Sequence, residues 1–391
     1  MTRDGPSSTT RSINSVLLLH VIAVLLALSV AACAADDDSP VASPPVTPGS
    51  AFQDVLDAEV ASTPSVPGEV LLIRAPGVDF AGASGYFDRE RRVPLEPDDG
   101  FRIASNTKTF TAAAVLRLVE DGRIGLDDAI ANHLSPGATA ELVGDGYDTT
   151  SITVGQLLTH TSGIYDYATD GAYQGAVVAE PQKRWTRSEQ VRFAVDHGDP
   201  LSQPGVEAHY SDTGYVLLGE IIERVTGEPL ATTYRTLLGF ERLGLDHTYL
   251  ETLEPTPRGV DSPAHQYAGE IDFATADPSF DLYGGGGLVS TTSDLATFYE
   301  ALFTGEVFDD PSTLATMLQE PDARGAQGTG MGIFRTTIAG EECWGHSGFW
   351  GSDVEYCPDA ALTIVRSINQ ALPEDFDPAR LEQRVARLAL N

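Results

Sequence analysis

The 391-residue sequence predicts a mixed α+β fold in which an antiparallel sheet, formed from both chain ends and flanked by helices, carries an inserted, mostly helical lobe. Two strand-like runs, Glu69 to Arg74 and Val78 to Phe87, lie near the N-terminus, and three more lie between Met331 and Asn369. Helical patterns dominate from about residue 109 to 316, and an amphipathic helix from Asp377 to Leu390 closes the chain.

The N-terminal residues have the pattern of a targeting segment. Arg3 and Arg11 precede an apolar stretch from Val16 to Val30, which is short for a membrane-spanning helix. Val30-Ala31-Ala32-Cys33 is similar to a bacterial lipobox, in which the cysteine is lipidated and becomes the first residue after cleavage. An uncleaved membrane anchor is the alternative.

A polar, proline-rich stretch follows Cys33, as expected for a tether. The sequence therefore predicts an exported protein, either lipid-anchored at the outer face of the bacterial cytoplasmic membrane or secreted. The predicted parts are a lipoprotein-type signal peptide at 1–32, a lipid-anchored tether at 33–50 and a single folded domain at 51–391, with its helical lobe at about 109–316.

The composition is that of a strongly acidic globular protein. Hydrophobic residues make up 42% of the chain and charged residues 21%, so disorder is not indicated. The formal net charge of -33 excludes nucleic acid as a partner, because the surface would repel a polyanion. No metal and no cofactor are expected, since the chain has neither an HExxH motif nor a cysteine-histidine cluster, and the four glycines at 284–287 lack a nucleotide-binding context.

The segment Ser105-Asn106-Thr107-Lys108 is the strongest indication of chemistry, because Lys108 is one of only two lysines in the chain. Residues three apart share a helix face, so the Lys108 ammonium is expected to lie against the Ser105 hydroxyl and help to activate it. The apolar, alanine-rich run from Thr109 to Val119 predicts a buried helix that ends at Asp121-Gly122. Alternatively, Ser105 is only a helix cap and Lys108 a solvated charge.

Two further segments carry candidate site residues. Tyr210-Ser211-Asp212 precedes a strongly apolar helix that ends at Gly227, so Tyr210 is predicted on a loop at a helix entrance, where it could carry a proton. His346-Ser347-Gly348 lies in a predicted strand hairpin. His160 is interpreted as a residue that fixes a loop by hydrogen bonding rather than as a catalyst.

In this order the segments SNTK, YSD and HSG resemble the S-x-x-K, Y-x-N and K-T-G or H-x-G motifs of the serine β-lactamase and D-alanyl-D-alanine peptidase superfamily. The similarity is to its branch of class C-like β-lactamases, D-aminopeptidases, DD-carboxypeptidases and esterases. It covers the chain from roughly residue 51 onwards and implies a β-lactamase/transpeptidase-like fold with its active site between the two lobes.

The resemblance also implies a role for each matching residue. Ser105 would be the nucleophile that forms an acyl-enzyme, with Lys108 and Tyr210 moving its proton. Asp212 occupies the family's usual Asn position, where a carboxylate would keep Lys108 charged but oppose a tyrosinate. The substrate-binding residues implied are Asp212, His346, Ser347 and Gly348, and the oxyanion hole would consist of the backbone N–H groups of Ser105 and Phe349.

The function implied is an exported serine hydrolase, similar to D-alanyl-D-alanine carboxypeptidases or β-lactamases, that acts on a cell-wall peptide, a β-lactam or an ester. An esterase or amidase of the same fold, acting on a small substrate, is the alternative, as is a catalytically weak penicillin-binding-type protein. A Ser-His-Asp esterase of the elbow type is excluded because no G-x-S-x-G pattern occurs.

The chain has three cysteines, of which Cys33 is assigned to lipidation. Cys343 and Cys357 flank the hairpin that carries HSG almost symmetrically about Trp350, so they are expected to face each other across adjacent strands and form a disulfide outside the cytoplasm. Two free buried thiols are the alternative.

Overall fold

The computed structural model describes residues 48–371, 373 and 375–391, so the predicted signal peptide, Cys33 and most of the tether lie outside the described residues. Within them, no helix combines the length and the apolar character needed to cross a membrane. The helices are α1 (Pro48–Ser62), α2 (Thr107–Glu120), α3 (Pro136–Gly144), α4 (Val154–Leu158), α5 (Gly171–Ala179), α6 (Arg187–His197), α7 (Asp212–Thr226), α8 (Leu230–Leu237), α9 (Phe240–Leu243), α10 (Thr292–Thr304), α11 (Pro311–Met317) and α12 (Pro378–Ala389).

The strands form one large sheet and two small ones. They are β1 (Gly68–Ala75), β2 (Val78–Asp88), β3 (Val93–Pro94), β4 (Phe101–Arg102), β5 (Tyr249–Leu250), β6 (Tyr267–Ala268), β7 (Ile271–Asp272), β8 (Leu288–Ser290), β9 (Phe334–Ile338), β10 (Glu341–Ser347), β11 (Ser352–Cys357), β12 (Leu362–Ile368) and β13 (Gln370–Ala371).

The large sheet joins the two ends of the domain, which confirms the predicted α+β architecture. Its seven strands are ordered β3-β2-β1-β12-β11-β10-β9, and every neighbouring pair is antiparallel. The N-terminal and C-terminal halves meet where β1 pairs with β12, with Glu69 opposite Ile368. The helices α2 to α11 lie between these halves in the sequence, as the inserted helical lobe requires.

Alternating side chains place a hydrophobic core on each face of this sheet. Leu71 and Ile73 of β1 point to the face covered by α1 and α12, where Phe52 and Val385 are buried. Val70 and Leu72 point to the opposite face and join the larger core that includes α2, α7 and α10. Because strand side chains alternate between faces, each residue in this run of β1 is buried on one side or the other.

Three details of the predicted organisation are wrong. The helix α1 begins at Pro48, inside the predicted tether, because proline is favoured in the first turn of a helix and Phe52, Val55 and Leu56 share a buried face. The segment from Met331 to Asn369 holds four strands of the large sheet, not three. Residues 245–291 form the short strands β5 to β8, one 3-10 turn and irregular turns rather than α-helices, since they are rich in proline and glycine.

The predicted disulfide is present. Cys343 and Cys357 are bonded to each other and lie one position beyond the paired residues Trp344 and Tyr356 of β10 and β11. Both cysteines are fully buried. The bond therefore closes the hairpin that carries His346.

Replacing both cysteines by alanine is expected to lower the melting temperature of the domain. A cross-link across a sequence separation of 14 residues stabilises a folded chain by about 3 kcal/mol in the chain-entropy view. Thermal unfolding of the double variant beside the unreduced wild type measures the difference. If iodoacetamide modifies both Cys343 and Cys357 in native, unreduced protein, the bond does not form.

Candidate active site

The Ser105 side chain sits at the entrance to α2. A short 3-10 turn, Ala104–Asn106, leads directly into the helix, and Ala104 adopts a left-handed backbone conformation with φ of 44°. From this turn Ser105 and Lys108 come together as predicted, because Lys108 Nζ lies 2.9 Å from Ser105 Oγ. The alternative of a solvated Lys108 is wrong, since this lysine is completely buried.

Pairing between short strands fixes the Ser105 turn to the glycine-rich segment. In β4 and β8, Phe101 pairs with Ser290 and Arg102 pairs with Val289. The Ile103 N–H continues this ladder by donating to the carbonyl of Leu288 at 3.0 Å. The ladder therefore sets the residues before Ser105 beside the chain that follows Gly284 to Gly287.

Three acceptors surround the Lys108 ammonium. Besides Ser105 Oγ, they are the carbonyl oxygen of Gly285 at 2.7 Å and Asp212 Oδ1 at 2.5 Å. Burial by itself lowers the pKa of Lys108, but the charge of Asp212 and the phenol of Tyr210 outweigh it, so the pKa lies above its usual value. Lys108 is therefore charged at neutral pH, and each of its three N–H bonds has a partner.

The phenol of Tyr210 completes this group. Tyr210 lies on the loop before α7, whose N-cap Ser211 accepts a hydrogen bond from the Gly214 N–H. Its ring centre is 4.9 Å from Lys108 Nζ. Burial and the charge of Asp212 raise the pKa of Tyr210, although Lys108 and a hydrogen bond with Ser105 act in the opposite direction. At rest, both candidate proton carriers are thus protonated.

Asp212 occupies a more central position than a substrate-binding residue would need. It is the first residue of α7, is almost fully buried and forms an ion pair with Lys108. Its backbone N–H donates to Asp166 Oδ1 at 3.0 Å, which fixes the start of the helix. This arrangement agrees with the prediction that a carboxylate at this position holds Lys108 charged and opposes a tyrosinate.

His346 is neutral and has a defined tautomer. Burial and the charge of Lys108 lower the pKa of His346 to about 3. Its Nδ1 lies 2.7 Å from the Ser347 carbonyl oxygen, which can only accept, so Nδ1 carries the proton. The Nε2 atom is then an acceptor, and it is buried without a hydrogen-bond partner among the described residues.

The remaining residues of the HSG segment lie where the hairpin approaches Ser105. A side chain at Gly348 would overlap the carbonyl oxygen of Ile103 and the Ser352 hydroxyl, so this close approach requires glycine. Ser347 and Phe349 are exposed. The Phe349 N–H donates no hydrogen bond to a described residue. It is therefore available to bond a substrate oxyanion. The assignment of Ser105 and Phe349 to the oxyanion hole stays a prediction.

The structure confirms that His160 fixes a loop by hydrogen bonding, and it adds Phe334 and Asn106, which the sequence analysis missed. His160 accepts a hydrogen bond from the Ser211 N–H at 3.1 Å, and its ring stacks on Tyr210 at 4.3 Å. Phe334 lies 5.1 Å from the His346 ring and 6.5 Å from the Tyr210 ring. Asn106 donates to the Ser352 hydroxyl at 3.0 Å, which ties the Ser105 turn to β11.

Within the described residues, no cluster of three or more His, Cys, Asp or Glu side chains could hold a metal ion.

Comparison with known proteins agrees with this geometry. The profile of the family described as Beta-lactamase matches residues 38–388. Among solved structures, a D-stereospecific amidohydrolase from Streptomyces sp. is 31% identical with a TM-score of 0.71, covering 83% of this chain and 94% of that one. A D-amino acid amidase from Ochrobactrum anthropi SV3 is 27% identical with a TM-score of 0.72, covering 87% and 98%.

Curated relatives are similar over shorter stretches. Protein flp of Staphylococcus aureus is 34% identical over 184 residues, which are 47% of this chain and 34% of that protein. Penicillin-binding protein 4* of Bacillus subtilis is 27% identical over 265 residues, or 63% of this chain and 54% of that protein. The chain thus spans about a third to a half of the length of the curated relatives it matches.

Proposed function

The chain belongs to the beta-lactamase family of serine hydrolases, and from this premise we propose that it is an amidohydrolase or esterase whose substrates carry no carboxylate beside the bond that is cleaved. The reaction would proceed through an acyl-enzyme on Ser105. The observation that carries this choice is the neutral His346, whose Nε2 is a buried acceptor.

The group around Lys108 supports the acyl-enzyme. In its deprotonated form, Tyr210 would take the proton of Ser105 as Oγ attacks the substrate carbonyl carbon. The same proton would pass to the leaving nitrogen or oxygen as its bond to carbon breaks. Water would then attack the acyl group, with Tyr210 again as base, and restore the Ser105 hydroxyl.

The charge of the site argues against a carboxylate-bearing substrate. A carboxylate needs a positive charge or N–H donors, whereas the neutral His346 ring offers only an acceptor, because its Nδ1–H is bonded to the Ser347 carbonyl and its buried Nε2 has no partner among the described residues. Lys108 is fully used by its three acceptors. Arg102 is held by two hydrogen bonds to Glu251, at 2.7 and 3.1 Å, and by a third to the Phe273 carbonyl.

An amide substrate fits this arrangement better. The N–H of a leaving amide can donate to His346 Nε2, so the acceptor that repels a carboxylate favours an amide nitrogen. Two of the similar structures are named as a D-stereospecific amidohydrolase and a D-amino acid amidase, and a third is EstCE1, a hydrolase with promiscuous acyltransferase activity. These names support the esterase or amidase alternative over a carboxypeptidase or a β-lactamase.

The test is a comparison of kcat/KM for D-phenylalanine amide, a matched p-nitrophenyl ester, a peptide ending in D-alanyl-D-alanine and benzylpenicillin. We expect the amide and the ester to be turned over, the two carboxylates to react at least tenfold more slowly, and Ser105→Ala to be inactive. His346→Lys should raise the relative rate of the carboxylate substrates, because it places a cation where the imidazole lies. Preferred cleavage of the peptide or of penicillin by the wild type would refute the proposal.

We also propose that the protein is exported and held at the outer face of the cytoplasmic membrane by a lipid on Cys33. The lipobox-like sequence supports this, and the membrane would be a partner only through that anchor. Membrane fractionation of cells that express wild type or Cys33→Ser tests the anchor. The same distribution of both proteins would contradict it.

A further inference from the structure

The carboxylate of Asp281 has no assigned role and no partner among the residues that the structure describes. It ends the 3-10 turn Pro278–Asp281 and is only partly exposed. Neither a hydrogen bond nor an ion pair joins it to any described residue. A partly exposed carboxylate that has no hydrogen bond or ion pair to the described residues can pair with a cation that approaches from solvent.

Asp281 lies close to the Lys108 group. Its carboxylate packs directly against Gly286, where any side chain would overlap it. The preceding residue, Gly285, bonds Lys108 through its carbonyl and lies against Asp212, since a Cβ there would be 2.8 Å from Asp212 Oδ1. Consecutive Cα atoms are about 3.8 Å apart, so Asp212 and Asp281 contact neighbouring residues of one turn.

Charged groups of the site act on the pKa of the Asp281 carboxyl group. Burial raises the pKa of Asp281 to about 6, the charge of Asp212 raises it as well, and Lys108 and Arg102 act in the opposite direction. Near neutral pH the Asp281 carboxyl group is therefore largely ionised, and it lies in the electric field of Lys108 and Asp212.

The surroundings of Lys108 hold more negative than positive charge. The charge of Asp212 acts on both Asp166 and Asp281, and Asp166 Oδ2 is buried without a partner among the described residues. Among the described residues, Lys108 is the only cation that forms a hydrogen bond with one of these carboxylates, and its three N–H bonds already have partners. His160 and His346 do not add charge, because burial lowers the pKa of both.

We propose that Asp281 anchors an ammonium subsite that binds a primary amino group on the acyl part of the substrate, as in a free amino acid amide. The subsite rests on the proposed function and adds to it the substrate group that the enzyme recognises, a primary amine. The substrate ammonium supplies the positive charge that Asp281 lacks, and His346 accepts from the leaving amide on the other side of the carbonyl.

The kinetic test compares D-phenylalanine amide with its N-acetyl derivative in wild type, Asp281→Asn and Asp281→Glu. Asp281→Asn should raise KM for the free amine at least tenfold, change kcat less than threefold and leave kcat/KM for the acetylated amide within twofold. Asp281→Glu, which keeps the charge, should retain part of the preference. Asp261→Asn removes the same formal charge from an exposed position and serves as the control. Equal effects on both amides, or a wild type that prefers the acetylated amide, would overturn the subsite.

A binding test keeps this inference separate from the proposed function. Calorimetric titration of Ser105→Ala with benzylamine hydrochloride measures ammonium binding without turnover. We expect binding that is weakened at least tenfold in Ser105→Ala/Asp281→Asn, and circular dichroism reports whether that variant is folded. If benzylamine binds in this way but no amide is cleaved by the wild type, the subsite stands and the proposed function fails. If amides are cleaved and benzylamine binding is absent or independent of Asp281, only the subsite fails.

Discussion

Replacing Lys108 by methionine is expected to reduce kcat/KM for every acyl substrate by at least about a thousandfold, because the nucleophile loses the group that activates it. The variant should also be less stable. The nearly buried Asp212 would lose its ion-pair partner, and breaking such a pair costs about 3–5 kcal/mol. Steady-state kinetics and thermal unfolding measure the two effects.

The chain supplies a matched control, since Lys183 is its only other lysine. Lys183 is partly exposed, lies 3.6 Å above the Trp185 ring and pairs with Glu189 at 3.2 Å. Lys183→Met should leave kcat/KM within twofold of wild type. The double variant Lys108→Met/Asp212→Asn should regain stability without regaining activity. If Lys108→Met keeps more than a tenth of wild-type activity, Lys108 does not activate Ser105.

Asp212→Asn is expected to move the rising limb of the pH profile to lower pH by about one to two units. The base form of the site requires loss of a proton from Tyr210 or Lys108. The charge of Asp212 raises the pKa of both groups, so its removal makes this proton easier to lose. An asparagine can still accept a hydrogen bond from Lys108, so the buried ammonium keeps a partner when it is charged.

The measurement is kcat/KM from pH 5 to 11 for wild type and Asp212→Asn on one ester and one amide. Asp261→Asn controls for the general loss of negative charge. The rising limb of the pH profile of Asp261→Asn should stay at the same pH as that of the wild type. An unchanged limb in Asp212→Asn, or one displaced to higher pH, would mean that Asp212 does not hold the catalytic protons in place.

The sequence was sufficient to predict those contacts of the site and the disulfide that are local or that follow from the alternation of side chains along a strand. The spacing of Ser105 and Lys108 on a helix, the loop position of Tyr210 and the pairing of Cys343 with Cys357 all follow from the geometry of single elements. Of these, only the cysteine pair required the register of two adjacent strands.

Long-range contacts were not predictable in this way. The Gly285 carbonyl that binds Lys108 is 177 residues away, and the turn that presents it gives no sequence signal for an acceptor. Similarly, Asn106 reaches Ser352 across 246 residues. The carboxylate of Asp281 could not be singled out from the sequence, because only packing leaves it without a hydrogen bond or an ion pair among the described residues.

The proposed hydrolysis depends on acylation of Ser105. Intact-protein mass spectrometry after rapid acid quench, with the p-nitrophenyl ester of a D-amino acid as the acyl donor, tests it most directly. We expect one acyl adduct, which peptide mapping places on Ser105, and none in Ser105→Ala. No adduct in protein that turns the ester over, or an adduct on another residue, would contradict it.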